Sequence, residues 1–278
     1  MADEAAIKSY RYLRIGIVGV VGLLGMSIGF EHAKASCWQT SISAYYYTPV
    51  RSIFVGGLLA IGLCLIVIKG SNAWEDTCLN IAGMLAPVVA FVPTSDAGKC
   101  WSEQPIPLPI KDDGALASWV VSNVDNNVKS LLVAGIAGLL VTAAIAIVVS
   151  RSAAVAKVGA SGTRLALLGA MLLLIVALVA FNIWNDFNTD SHFVAAIAMF
   201  VFLAGAVGGN AWEHRDRAPR PYFWLYAVIV GLMAAAAVLL VALSSGWRHV
   251  QLFLEGTQIT LFAAFWLVQT KEHWHEIN

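Results

Sequence analysis

Apolar residues are collected into long runs along this chain, and polar residues are largely confined to the segments that join the runs. Each run is near the ~20 residues that an α-helix needs to cross a bilayer. The eight runs are residues 15–30, 52–69, 79–94, 130–150, 163–183, 192–208, 222–243 and 250–269. The pattern therefore predicts an all-α fold, a polytopic transmembrane helix bundle of eight spans that forms a single domain over residues 1–278.

Composition excludes a soluble protein. The 278 residues are 59% hydrophobic and 12% charged, with a mean hydropathy of +0.75, whereas about a quarter of the residues of a soluble domain are charged. Because the formal net charge is zero, bulk electrostatics do not indicate a nucleic-acid partner. We expect membrane lipid as a partner, with another membrane protein as a second one.

The first run has a second interpretation, as a secretory signal peptide. Basic residues precede it, and Ala33-Lys34-Ala35 follows it as an A-x-A-like cleavage site. Glu31 and His32 interrupt the approach to that site and the run is long for a signal sequence, so we favour a transmembrane span. Glycines at every third position from Gly16 to Gly25 are typical of helices that approach one another closely in lipid.

The weakest run is 79–94, which is short and contains Asn80 and Pro87. An internal proline is tolerated in a membrane helix when neighbouring groups satisfy the carbonyl that it leaves free. We therefore keep this run as a span.

Lysine and arginine residues predict how the bundle sits in the membrane. With the first residue inside, eleven of the 17 basic residues fall on the inner side and six on the outer side. This bias follows the positive-inside rule, and an even number of spans brings both termini to the same side. The sequence predicts a bacterial inner-membrane protein with cytoplasmic termini.

The predicted outer loops contain two of the four cysteines. Cys37 follows the first span and Cys100 lies in the long outer loop 95–129, whereas Cys64 and Cys78 lie in or near helices. An oxidising exterior favours a disulfide between the first two. Two free thiols are the alternative.

The same long loop contains a short helical pattern. Leu116, Trp119 and Val120 fall at helical spacing after a polar segment. This suits a short helix lying on the outer surface, or equally an amphipathic start of the next span.

A tetrapeptide recurs at the predicted inner ends of two spans. Asn72-Ala73-Trp74-Glu75 follows the second span and Asn210-Ala211-Trp212-Glu213 follows the sixth. With similar segments before both spans, the recurrence is consistent with a four-plus-four parallel repeat, with halves 1–150 and 151–278. Interfacial tryptophans recur for generic reasons as well, so chance is the alternative.

The sharpest polar feature lies in the last span. Gln251, Glu255 and Gln258 recur at i, i+4 and i+7 and therefore form one stripe on a helix. A carboxylate this far inside a span is costly unless it faces a cavity, a partner or water. We interpret the stripe as the lining of an outward-facing pocket. The alternative is a Glu255 that is hydrogen-bonded or ion-paired within the bundle.

Three histidines, His32, His192 and His249, are predicted at the outer ends of different spans. With nearby carboxylates such as Asp190, they are the residue types of a zinc site. The three would come from separate helices with no short spacing, so interfacial or hydrogen-bonding histidines are the alternative. Asp190 also lies where the dipole at a helix N-terminus favours an acid.

The first outer loop contains candidate ligands for an anion. Ser41 and Ser43 lie in it, and Arg51 lies where the loop enters the second span. An arginine can bind a phosphate or carboxylate in a bidentate manner. The alternative is an arginine whose charged group snorkels to the membrane surface.

Three short motifs resemble the DRAM autophagy-modulator family and its uncharacterised bacterial multi-pass membrane relatives. They are Ser41-Ile42-Ser43 after the first span, His192 followed by Ala195-Ala196, and Glu255 with Phe262 and Trp266 in the last span. Members of that family typically have fewer spans than the eight predicted here. The resemblance implies that Ser41, Ser43, His192 and Glu255 form one outward-facing set, and it implies no settled activity.

Three functional hypotheses follow. The preferred one is an integral inner-membrane protein whose outward-facing polar pocket binds a lipid headgroup or a small polar ligand, with Glu255 and His192 lining it and Arg51 anchoring an anion. The second is a metal-dependent membrane hydrolase acting on a lipid, with zinc held by the three histidines. The third is a scaffold or accessory subunit of a membrane complex, which a Glu255 sealed against a neighbouring basic group would favour.

Overall fold

The computed structural model describes residues 2–103, 106–110, 116–150, 160–216, 221–243 and 246–275. These residues form eight α-helices and two short 3₁₀ helices, so the predicted all-α fold is confirmed. The α-helices are α1 (Ala2–Ala35), α2 (Arg51–Val67), α3 (Ala73–Phe91), α4 (Ser118–Ser150), α5 (Ala160–Ile183), α6 (Phe187–His214), α7 (Pro221–Leu243) and α8 (Val250–Glu272). The 3₁₀ helices are Ser43–Tyr47 and His273–His275.

Five of the helices are long and apolar enough to cross a membrane, as expected of a multi-pass membrane protein. The five stretches are Lys8–Ala35, Ser118–Ile145, Phe187–His214, Pro221–Leu239 and Val250–Glu272. Two further apolar helices, Arg51–Val67 and Leu167–Ile183, are shorter. The count of eight spans stays a prediction.

Helix α3 belongs to neither group, and its position explains its composition. It packs against α2, α5 and α6 and makes a smaller contact with α4, and its buried residues extend from Glu75 in its first turn to Ala90 in its last. A helix surrounded by other helices needs no lipid-facing apolar surface. The first turn of α3 therefore accommodates Glu75 and Asp76, and its interior accommodates Pro87.

Six helices make a closed ring in which each contacts the next. The order of contacts is α1, α2, α3, α6, α7 and α8, and α8 returns to α1. The chain leaves this ring after α3 to form the α4–α5 hairpin, in which α5 packs along α3 and the first half of α4 packs against the end of α3 and the start of α6. The hairpin thus lies outside the ring.

The two ends of the ring are named here by their contacts. The disulfide end contains the bonded pair Cys37 and Cys100. The Glu75 end contains the starts of α1 and α3 and the ends of α6 and α8, because Arg11 contacts Trp274 and Asn72 donates a hydrogen bond to Glu213. The beginning of α1 and the end of α8 therefore lie at the same end of the bundle.

Exposed aromatic side chains lie near both ends of the ring. At the Glu75 end they are Tyr12, Trp74, Trp212, Trp224 and Trp274, and near the disulfide end they include Trp38 and Trp247. Tyrosine and tryptophan are enriched at both membrane–water interfaces, where one part of the ring system is apolar and another part is wet. Their placement is that of a bundle whose ends lie at the two surfaces of a bilayer.

Four helices, α1, α3, α4 and α6, begin at least five residues before the apolar runs that predicted them. Helix α4 begins at Ser118 rather than at residue 130, so the helical spacing at Trp119 and Val120 marks its amphipathic start and not a separate surface helix. Val120 and Val124 bury this start against the rest of the bundle. Helix α6 begins at Phe187 rather than at residue 192, which places His192 inside the helix.

The close approach of helices predicted from the glycines of α1 occurs elsewhere. A Cβ atom added at Gly16 or Gly25 meets no heavy atom within 4 Å. A Cβ at Gly62 of α2 would lie 2.8 Å from the carbonyl oxygen of Gly83, and a Cβ at Gly83 of α3 would lie 2.7 Å from the carbonyl oxygen of Gly62. The tight contact is therefore between α2 and α3.

The two copies of the recurring tetrapeptide have different local structures. Asn72 caps the start of α3, where its side chain accepts the N–H of Glu75, whereas Asn210 and Glu213 belong to the end of α6. The copies meet at the Glu75 end, because the Asn72 side-chain amide donates to Glu213 Oε2 at 2.8 Å. The four-plus-four repeat stays a prediction that these landmarks do not support.

Candidate functional site

The first loop, residues 36–50, folds into the disulfide end of the ring. Its residues from Ser41 to Thr48 are buried, including the 3₁₀ helix Ser43–Tyr47. The Ser41 hydroxyl oxygen accepts the Ala44 N–H at 2.9 Å, which fixes the turn at the start of this helix. A buried loop of this kind brings main-chain N–H groups into the bundle, and each of them needs an acceptor.

Glu255 of α8 is the acceptor for the start of this 3₁₀ helix. Its Oε2 accepts the Ile42 N–H at 2.7 Å and the Ser43 N–H at 3.2 Å, and its Oε1 accepts the Gln251 side-chain amide at 3.0 Å. Glu255 is only 7% exposed. Charge-assisted bonds of this kind are about twice as strong as neutral ones. Glu255 is thus sealed inside the bundle by amide donors, not by a basic group.

The predicted polar stripe on α8 divides into two parts. Gln251 is half-buried and donates to Glu255, so it belongs to the same contact. Gln258 is buried and donates instead to the Met233 carbonyl of α7 at 2.8 Å. Only the first two members of the stripe therefore act together.

His192 joins α6 to the end of α3. Its Nδ1 lies 2.6 Å from the Val92 carbonyl oxygen, and its side chain is buried. Since a carbonyl only accepts, Nδ1 carries the proton in this contact. Asp190 is exposed in the first turn of α6, where the helix dipole favours an acid. Neither residue contacts Glu255.

Arg51, the predicted anion ligand, is engaged with a neighbouring tyrosine. Its Nη2 donates to the Tyr46 hydroxyl at 2.9 Å, and its Cζ lies 4.6 Å from the centroid of the same ring. Ser43 takes part in the Glu255 contact through its main chain, and Ser41 bonds within its own turn. The structure thus brings Ser43 to Glu255 and leaves Ser41, Arg51 and His192 in separate contacts.

The three histidines predicted as zinc ligands face three different carbonyl groups. Nδ1 of His32 lies 3.0 Å from Cys37 O and Nδ1 of His249 lies 3.0 Å from Gln39 O, while His192 faces Val92. Throughout the described ranges, no group of three or more His, Cys, Asp or Glu side chains is placed to hold a metal ion. The predicted zinc site is therefore not formed, and the hydrogen-bonding alternative describes these histidines.

The predicted disulfide is present. Cys37 and Cys100 are bonded, with their Cα atoms 5.8 Å apart. The Gln39 side-chain amide donates to the Cys100 carbonyl beside it, and Thr40 donates to Asp96 at 3.0 Å. The disulfide and these bonds join the first loop to the segment between α3 and α4.

Two further side chains strengthen the same junction. Glu31 at the end of α1 accepts the Ser102 N–H at 2.6 Å and the Ser102 hydroxyl at 2.7 Å. Tyr47 donates its hydroxyl to the Thr94 carbonyl at 2.6 Å, and burial raises the pKa of this phenol, so the donor stays protonated. Sequence reasoning missed both roles because the partners lie 71 and 47 residues away and leave no periodic signal.

A second buried carboxylate lies at the Glu75 end. Glu75 is fully buried, and its Oε2 accepts the Ser71 N–H at 2.6 Å while its Oε1 accepts the Gln269 side-chain amide at 2.7 Å. The Asn72 side chain accepts the Glu75 N–H at 2.8 Å. This reciprocal arrangement resembles a capping box, whose N-x-x-E spacing is readable in the sequence.

Glu272 connects three helices at the same end. Its Oε1 lies 2.6 Å from Nε2 of His214, and its Oε2 accepts the Tyr226 hydroxyl. The other nitrogen of His214 lies 2.8 Å from the Asn210 carbonyl. Because these residues come from α6, α7 and α8, the contact holds that part of the ring together. The sequences around His214 and Glu272 are charged and typical of a solvated loop, which hides the contact.

A surface cleft, named here the α1–α7 cleft, lies at the Glu75 end with α8 as its floor. Its volume is about 440 Å³, and it is lined by Ile15, Tyr222, Leu267, Thr270, Lys271 and Trp274. Arg11 borders it, with its Cζ 4.5 Å from the centroid of the Trp274 ring. This cleft combines an apolar part with two cations.

Comparisons with protein-family models, curated proteins and solved structures find no match to this chain. The resemblance to the DRAM family therefore stays a prediction.

Proposed function

We propose that this protein is a scaffold or accessory subunit of a membrane complex, in which polar side chains lock the bundle and another membrane protein is the partner. The observation that carries the proposal is the engagement of Glu255, whose two carboxylate oxygens accept three N–H groups from the first loop and α8. Each bond to a charged acceptor contributes about 1.5–3 kcal/mol. A polar ligand would have to displace these bonds before it could bind.

The other residues predicted to bind a ligand support the same proposal. Arg51 is held by Tyr46, and His192 is buried against Val92. The histidines expected to hold a catalytic zinc are used as separate donors to loop carbonyls. A receptor pocket or a metal-dependent hydrolase at the disulfide end therefore has less support than a structural role.

The part of the molecule that we propose meets a partner is the α4–α5 hairpin. Helix α4 has 33 residues, which is about 50 Å of helix, whereas the apolar core of a bilayer is about 30 Å thick. Several of its turns therefore extend beyond the apolar core. A shallow surface depression of about 470 Å³ on α4 is lined by Asp125, Asn126, Lys129, Ser130, Val133, Ala134 and Ala137.

Residues 138–145 of α4 are mostly exposed and apolar. Leu140 is 66% exposed and Val141 is 59% exposed. A surface with polar side chains at one end and apolar side chains along the membrane-spanning part suits a partner that is itself a membrane protein.

We further propose that the protein lies in a bacterial inner membrane with its Glu75 end in the cytoplasm. The described basic residues at that end include Lys8, Arg11, Arg14, Lys69, Arg215 and Lys271. Lysine and arginine are enriched on the cytoplasmic side, and the Cys37–Cys100 disulfide at the opposite end suits an oxidising compartment. Two independent features thus favour one orientation.

Site-specific photo-crosslinking in native membranes tests the scaffold proposal. A benzophenone amino acid placed at Ser130 or Leu140 of α4 should give the same discrete protein adduct from both positions. The control is Leu63 on α2, which is also 66% exposed but lies away from the hairpin. Absence of an adduct at both hairpin positions, or the same adduct from Leu63, contradicts the proposal.

A further inference from the structure

The α1–α7 cleft changes from apolar to polar along its length. Its apolar part is formed by Ile15 of α1 and Leu267 of α8, which are 44% and 54% exposed. Lys271, one turn further along α8, and Tyr222 of α7 line its polar part. The change from apolar to polar along the cleft therefore suits a molecule with an apolar chain and a polar head.

The cation in this cleft is uncompensated. In the part of the chain that the structure describes, neither the Lys271 ammonium nor the Tyr222 hydroxyl has a hydrogen bond or an ion pair. The adjacent acid, Glu272, is turned toward His214 and Tyr226. Lys271 is thus an exposed positive charge with a free hydrogen-bond donor close to it in the same cleft.

A second positive charge lies at the border of the cleft. Arg11 stacks on the Trp274 ring and donates one N–H to the Trp274 carbonyl, a neutral acceptor. Its Nε is buried and lacks a partner among the described residues. Among the described residues, the cleft is therefore lined and bordered by two cations and has no carboxylate in its lining.

From these contacts we infer that the α1–α7 cleft binds an anionic phospholipid, with an acyl chain along Ile15 and Leu267 and the phosphate at Lys271. The three helices that form the cleft are all long and apolar enough to cross a membrane. Exposed Tyr12 and Trp224 mark the membrane interface at this end. The polar part of the cleft thus lies at the depth of lipid headgroups.

A lipid fits this cleft better than a free anion does. A soluble phosphate can use only Lys271, Arg11 and Tyr222, whereas a phospholipid also covers the apolar side chains of Ile15 and Leu267. A basic residue near an anionic membrane surface contributes about 1 kcal/mol to lipid association. Loss of one such charge therefore corresponds to a ~5-fold loss of affinity.

Native mass spectrometry of the full-length protein in a mild detergent tests the inference. The protein is titrated with phosphatidylglycerol and, separately, with phosphatidylcholine of the same acyl chains. The wild type should bind the anionic lipid more tightly. Lys271→Gln should lower that affinity ~5-fold, while the matched control Lys69→Gln, an exposed lysine at the same end but outside the cleft, should leave it unchanged.

Two additional measurements separate lipid binding from anion binding. Ile15→Trp should weaken the binding of both lipids, because the larger side chain fills the apolar part of the cleft. Millimolar inorganic phosphate should not displace phosphatidylglycerol. Equal effects of Lys271→Gln and Lys69→Gln, displacement by phosphate alone, or unchanged binding in Ile15→Trp would each overturn the inference. Melting temperatures of all three variants equal to that of the wild type confirm that the bundle is intact.

Discussion

At the scale of single residues, the buried glutamates of this protein serve one purpose. Glu31, Glu75 and Glu255 are at most 7% exposed, and each accepts a main-chain N–H from a loop that enters the bundle. An N–H group inside a membrane bundle must find an acceptor, and a carboxylate is the strongest that a side chain offers. These three glutamates are therefore anchors for loops.

Replacement of Glu255 by Gln should lower the stability of the protein. The new amide retains one oxygen but presents an NH₂ group, itself a donor, to the donors of Ile42, Ser43 or Gln251. Each lost bond to a charged acceptor costs about 1.5–3 kcal/mol. Thermal melting in detergent should show a midpoint several degrees lower.

The control for this variant is Glu103→Gln, which removes an exposed carboxylate from the same end of the molecule. Its melting temperature should equal that of the wild type. If Glu255→Gln melts at the same temperature as the control but loses binding of a polar molecule, Glu255 is a ligand residue and the scaffold proposal fails.

Sequence reasoning finds Glu255 but not its partner. The i, i+4, i+7 spacing reports which face of α8 is polar, and it identifies a costly acid in a span. The amides that satisfy the acid lie 212 and 213 residues earlier in the chain. Periodicity carries no information about such distant contacts. The sequence alone therefore does not distinguish a Glu255 that lines a pocket from a Glu255 that is hydrogen-bonded inside the bundle.

At the scale of helices, the apolar runs predict the existence of each helix more accurately than they predict its first residue. All eight runs fall on α-helices, but α4 and α6 begin twelve and five residues earlier than their runs because their first turns are amphipathic or polar. Glycine spacing is similarly incomplete as a signal. The spacing in α1 predicts a tight helix contact there, whereas the structure has the tight contact at Gly62 and Gly83. Which glycine is needed depends on the neighbouring helix.

Substitution of Gly62 or Gly83 by Ala should destabilise the contact between α2 and α3. The added Cβ would lie 2.8 Å or 2.7 Å from a main-chain carbonyl oxygen of the other helix, and neither main chain can move without shifting its helix. Overpacking of this kind typically costs about 1–3 kcal/mol. The free energy of unfolding in detergent measures the effect.

Gly56→Ala in the same helix is the matched control, because a Cβ at Gly56 meets nothing within 4 Å. It should leave the protein as stable as the wild type, since alanine also favours the helix. Equal stability of Gly62→Ala, Gly83→Ala and Gly56→Ala contradicts a close approach of α2 and α3.

At the scale of the whole molecule, the ring is closed by the packing of α1 on α8 and fixed at both ends by loops. The disulfide end holds the first loop through Glu255, His249 and the Cys37–Cys100 bond, and the Glu75 end joins α3, α6 and α8 through Glu75 and Glu272. Counting the apolar runs places Cys37 and Cys100 in loops on the same side of the bundle, and this made their disulfide predictable from the sequence. The order of the helices around the ring could not be predicted from the sequence.

Removal of the disulfide should test how far the disulfide end depends on a covalent link. The bond closes a loop with a sequence separation of 63 residues, which corresponds to about 4 kcal/mol when the unfolded chain is fully flexible. Helices that persist in detergent restrict the unfolded chain and reduce this value. The double variant Cys37→Ser/Cys100→Ser should therefore have a lower melting temperature, by less than the full amount.

The reducing agent gives this experiment an internal control. A thiol reductant should bring the melting temperature of the wild type down to that of the double variant and leave the double variant unchanged. Cys64→Ser, which removes a free, half-buried thiol, should keep the wild-type response. If the double variant melts with the wild type, the hydrogen bonds from Glu255, Glu31 and Gln39 alone hold the first loop in place, and the covalent link adds nothing to its stability.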